Sequence, residues 1–81
     1  MREKLHKILD LILDLNENGN DSFMYLYGHT QDLTVDVTDG KWENGGSHLL
    51  YKHEYYAGRH YNEKTFDELI KKLEELKGET K

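Results

Sequence analysis

Five histidines, six tyrosines and sixteen carboxylates, with no cysteine at all, set the chemistry open to this chain. The absence of cysteine removes disulfides, thiolate nucleophiles and cysteine-based zinc sites together. His6, His29, His48, His53 and His60 show none of the close pairings that metal motifs use. Only His48 and His53 share a strand-like segment, and their odd spacing predicts opposite faces, so no metal is expected. Two acid–base pairings suggest themselves: His53 with Glu54, and Asp36 with His48. The first fails because neighbours along a strand point apart. Gly45 and Gly46 lack the Lys and Ser/Thr that would follow them in a phosphate-binding loop. So short a chain also has little room for a pocket holding a nucleophile and its base. The residues therefore predict no catalytic centre and no cofactor.

Tyrosine and aspartate carry more information. Tyr25, Tyr27, Tyr51, Tyr55, Tyr56 and Tyr61, with Trp42 and Phe23, exceed what a small core needs. Tyrosine is enriched where one side chain makes both apolar contact and hydrogen bonds. Such rings either form an interface hot spot or edge the core with their hydroxyls in water. Asp21, Asp32, Asp36, Asp39 and Glu43 stand against Lys41 alone, so most of the net charge of −5 falls between residues 21 and 47. A row of carboxylates suits a nucleic-acid-binding groove in another protein, steered by the electrostatics that DNA itself uses. A solvated, solubilising hairpin is the plain alternative. Direct binding of nucleic acid needs a basic face and is not expected.

The elements that must position these residues follow from hydrophobic period. Leu5, Ile8, Leu9, Ile12 and Leu15 keep helical spacing, and Leu11 and Leu13 widen the apolar arc to about half the circumference, a face that must be buried on two sides or join a partner. This predicts a helix over 3–17, stopped by Asn16, Glu17, Asn18 and Gly19. Short strands follow at 23–27 and 33–38, the latter alternating Leu33, Val35, Val37 with Thr34, Asp36, Thr38. Asp39-Gly40 suits a tight hairpin with positive φ at both central residues, returning through a strand at 41–43. A last strand spans 49–56. Thr65 with Glu68 reads as a capping box opening a helix over 66–77, before a polar tail at 78–81.

Together these predict one α+β domain: helix, three- or four-stranded antiparallel sheet, helix, with both helices on one face. At 81 residues the chain fits a single core, although its hydrophobic fraction of 36% is low and its charged fraction of 33% high. The longest apolar stretch, Leu11 to Leu13, is far short of a membrane span, and the amino terminus carries charge without the apolar run expected of a signal peptide. These features fit a cytoplasmic protein. On the open sheet face the alternation predicts Asp32, Thr34, Asp36 and Thr38, with Asp32 and Asp36 about 13 Å apart.

Helix, antiparallel strands, helix is also the order of double-stranded RNA-binding domains. Those open their second helix with a basic cluster, whereas Asn62, Glu63, Lys64, Thr65, Phe66, Asp67 and Glu68 stand here. In size, acidity and the Asp32 to Glu43 hairpin, the chain resembles small acidic phage-encoded inhibitors of the anti-CRISPR kind. That resemblance implies a non-enzymatic inhibitor covering the nucleic-acid site of a basic nuclease. The expected partner-binding residues are Asp32, Asp36, Asp39, Glu43, Trp42, Tyr25, Tyr27, Tyr51 and Tyr55. The competing expectation is an immunity or antitoxin-like partner, or a homodimeric accessory domain using the broad helix-one face. The chain is expected to be a monomer or a homodimer.

Overall fold

Helical spacing of the first apolar residues is realised as α1, Arg2–Glu17, which buries Ile8, Leu11, Ile12 and Leu15. The computed structural model describes residues 1–40 and 48–79. α1 ends where expected: Gly19 turns the chain at φ +95°, and Asn20 N–H donates to the Leu15 carbonyl at 3.0 Å. Two amides then fix the way into the sheet. Asn16 Nδ2 donates to the Ile12 and Ser22 carbonyls, and Asn16 Oδ1 accepts from Ser22 N–H at 2.8 Å. Asn20 Nδ2 donates to the Thr38 carbonyl at 3.0 Å.

Three strands follow, β1 at Ser22–Tyr27, β2 at Asp32–Thr38 and β3 at His48–Tyr55, paired antiparallel in the order β1-β2-β3. Period two holds strictly in β2. Leu33, Val35 and Val37 are fully buried on the inner face, where Leu50 of β3 joins them. The last element, α2 at Glu63–Glu79, adds Phe66, Leu69, Leu73 and Leu76 to the same core. Both helices thus cover the inner face, each fully buried aliphatic side chain contributing about 1.5–3 kcal/mol. α1 packs over β1 and against α2, while α2 packs over β3. Ion pairs join the helices in rising order along both: Lys4 with Glu63 and Asp67, Lys7 with Glu74, and Asp14 with Lys77. The helices are therefore parallel, and these bridges oppose the repulsion of aligned helix dipoles.

Three sequence expectations need correction. α2 begins before Thr65, because Asn62 is its cap: Asn62 Oδ1 accepts from Lys64 N–H at 3.0 Å and Thr65 N–H at 3.3 Å. Thr65 sits in the first turn and donates its hydroxyl to Glu54 Oε1 at 2.7 Å, tying α2 to β3. At Asp39-Gly40 only Gly40 has positive φ, +84°, and its carbonyl accepts from Asp21 N–H and Thr38 Oγ1. β2 takes its second partner from His48–Tyr55, so both its edges are filled by β1 and β3. The strand expected at 41–43, with Trp42 and Glu43, lies outside the described residues.

Candidate functional site

The register assembles the outer face, opposite the helices, from three cross-strand rows. Phe23, Asp36 and Tyr51 are directly opposed, then Tyr25, Thr34 and His53, then Tyr27, Asp32 and Tyr55. Opposed residues in a ladder share a face, so β1 and β3 bring rings to both sides of the polar centre strand. Tyr25 is 47% exposed, Tyr27 50% and Tyr51 65%. Phe23 stacks on Tyr25 with centroids 6.4 Å apart. On the other side His53 meets Tyr55 edge-on at 5.1 Å, and Tyr55 leans on His60 at the same distance.

The central aspartates lie on the expected face but not in the expected state. Asp32 and Asp36 are 9% and 8% exposed, so they are not a free carboxylate row. β2 is the middle strand, and the larger side chains of β1 and β3 flank its short ones on both sides. Burying a carboxylate is costly unless donors satisfy it. His48 Nδ1 donates to Asp36 Oδ1 at 2.6 Å. His53 Nε2 donates to Asp32 Oδ2, and the Thr30 hydroxyl donates to Asp32 Oδ1. The Thr30 hydrogen bond, then that from His53, holds the Asp32 carboxyl below its ordinary value of 3.8. Among the described residues no buried side-chain nitrogen or oxygen lacks a partner.

His48 and His53 share the outer face, against the expectation from their odd spacing. β2 and β3 slip register between Val37 and Thr38: Val37 opposes Leu50, but Thr38 opposes His48. Leu49 is the extra residue of a β-bulge, which returns His48 to the face of His53. Each imidazole then reaches diagonally to an aspartate, His48 to Asp36 and His53 to Asp32. The pairing of Asp36 with His48 foreseen from sequence is thus present. That of His53 with Glu54 is not, since Glu54 faces inward to Thr65. Each carboxylate fixes the tautomer of its imidazole, which orients a base.

Two grooves among the described residues lie on the helix side of the sheet. One, of about 310 Å³, is lined by Leu50, Lys52 and Glu54 with Thr65, Glu68, Leu69 and Lys72. The other, of about 380 Å³, runs between α1 and β1. Among the described residues no three His, Cys, Asp or Glu side chains converge to hold a metal ion. No described helix is long and apolar enough to cross a membrane.

The expected partner-binding residues therefore divide. Tyr25, Tyr27, Tyr51 and Tyr55 come together on one face with Asp32 and Asp36 between them. Asp39 is exposed beyond the end of β2, apart from that grid. Trp42 and Glu43 fall outside the described residues. Sequence reasoning missed Thr30, and missed His53 as the partner of Asp32; the diagonal cross-strand relation is the signal that links the latter pair once the register is known. Comparison of the chain with family models, with curated proteins and with solved structures returns no match.

Proposed function

We propose that this chain is a non-enzymatic binding protein whose contact surface is the outer face of the sheet, and whose partner is a protein presenting arginine side chains. The observation that carries the reading is the set of three half-exposed tyrosine rings, Tyr25, Tyr27 and Tyr51, held at fixed spacing by the register around two carboxylates. Tyrosine faces take guanidinium groups by cation–π contact, while Asp32 and Asp36, buried and already hydrogen-bonded to His53, Thr30 and His48, favour a cation only through their field. Rings on a rigid sheet lose little conformational freedom on binding, which is why such residues dominate interface energetics.

Arginine-dense surfaces are typical of proteins that handle nucleic acid, so covering one would inhibit the enzyme that carries it. Direct stacking of bases is the other use of aromatic rings on an open sheet. Asp32 and Asp36 at the centre of the platform disfavour it, because they stand where a phosphate backbone would pass.

Titration with an arginine-rich peptide, followed by backbone NMR, tests the reading. Shifts should concentrate in β1 and β3 and be lost in the Tyr25→Ala, Tyr27→Ala, Tyr51→Ala triple variant. Each single replacement should cost about 1–2 kcal/mol, roughly five- to thirtyfold in affinity. Shifts centred on the helices, or tight binding of a single-stranded oligonucleotide to the unmodified protein, would sink the proposal.

A further inference from the structure

We infer that two copies of this chain join through β1, edge to edge, so that their sheets continue as one six-stranded antiparallel sheet about a two-fold axis. The two edges of the three-stranded sheet are built differently. β3 carries Lys52, Glu54 and two histidines and is interrupted by the bulge at Leu49, the devices by which soluble proteins discourage further pairing. β1 has none of them. Its sequence, Ser22-Phe23-Met24-Tyr25-Leu26-Tyr27, contains no charge and no proline, and its register with β2 is unbroken over all six residues. Among the described residues β2 is its only strand partner, and Asn16 takes the N–H and C=O of Ser22 at its start, which leaves the outer row beyond Ser22 open.

What flanks that edge selects a second copy over an unrelated strand. α1 lies over β1, and the groove between them is lined by Arg2, Leu5, His6, Leu9, Met24 and Leu26. Leu9, Leu13 and Leu26 are 45%, 51% and 56% exposed, and Leu13 lies one helical turn beyond Leu9 on the same side of α1. A lone peptide strand would satisfy the backbone and leave these leucines in water. A second copy brings its own leucines to cover them.

Charge agrees. The two-fold axis sets the α1 helices antiparallel, which brings Arg2 of one copy towards the end of the other helix, where Glu17 stands and no basic residue occupies the last turn. Elsewhere the net charge of −5 drives copies apart. Residues opposed across the new seam must share a face, so the axis passes beside a residue, Met24 or Tyr25, and not between the two. With Tyr25 on the axis, Met24 opposes Leu26 of the second copy and Phe23 opposes its Tyr27.

Sedimentation velocity from micromolar to millimolar protein should show a monomer–dimer equilibrium. Leu26→Lys and Leu9→Glu, at exposed positions that leave the core intact, should each weaken it about tenfold or more without changing the thermal midpoint of the monomer. Because the chain has no cysteine, one introduced thiol reports the axis directly. Oxidation should give a covalent dimer of Tyr25→Cys or of Met24→Cys, but not of Lys71→Cys on the outside of α2. A protein that stays monomeric throughout, or a dimer that survives Leu26→Lys and links through neither β1 thiol, would overturn the inference.

Discussion

The Asp32 carboxylate is held by the Thr30 hydroxyl and the His53 ring, and its lowered protonation equilibrium makes it a reporter of the outer face. The folded chain keeps this charge to lower pH than the unfolded chain does. Its contribution to stability is therefore complete above the unfolded value of 3.8 and disappears as pH falls through the lower folded value. Thermal unfolding between neutral and strongly acidic pH should show that loss, and Thr30→Val should shrink it by moving the folded value back towards the unfolded one. Equal acid dependence in the two proteins would mean that Thr30 is not the controlling donor. Alternation alone makes the placement of Tyr25, Tyr27 and Tyr51 legible from sequence. The imidazole partners of the aspartates are legible only in part, because they depend on which strand lies beside β2 and on one inserted residue, and the period of a single strand carries neither.

Asn62 and Leu49 decide where elements begin and which way they face. Asn62→Ala should lower stability by about 1 kcal/mol in urea unfolding, the usual worth of a helix cap, and an unchanged midpoint would argue that the cap lies elsewhere. Deleting Leu49, the extra and exposed residue, should restore a regular ladder in which His48 precedes the inward Leu50 and so stays on the outer face opposite Thr38. Its imidazole resonances should keep their dependence on Asp36, as those of His53 keep theirs on Asp32, and loss of the first alone would mean that Leu49 is not the inserted residue. Periodicity and the flanking turn residues are sufficient to place α1, β1, β2 and β3 to within a residue of their observed limits. They are insufficient at the start of α2. There Asn62 and Thr65 are both good caps three residues apart, and the choice rests on the contact of Thr65 with Glu54 across the fold. The broad apolar arc of α1 divides as well: Ile8, Leu11, Ile12 and Leu15 enter the core and Leu5 packs against it, whereas Leu9 and Leu13 do not.

Across the whole molecule, one core is shared by α1, α2, β2 and β3, so losses there should be felt globally. Leu73→Ala should cost about 2–5 kcal/mol, whereas Leu13→Ala at an exposed site should change monomer stability by less than about 0.5 kcal/mol. Comparable losses at the two positions would contradict this burial pattern. Both helices on one side of the sheet follow from the apolar alternation of β2, which offers only one face to cover. The parallel direction of the helices follows from an odd number of strands between them, a number no local pattern supplies. That seam of ion pairs and leucines also has a kinetic meaning. The two hairpins join neighbours in the chain, but α1 meets α2 across some sixty residues, the longest loop that folding must close. The helix pair is then the last contact made and the first released. Changes at Lys4 or Lys7 should hasten unfolding and leave the refolding rate nearly untouched.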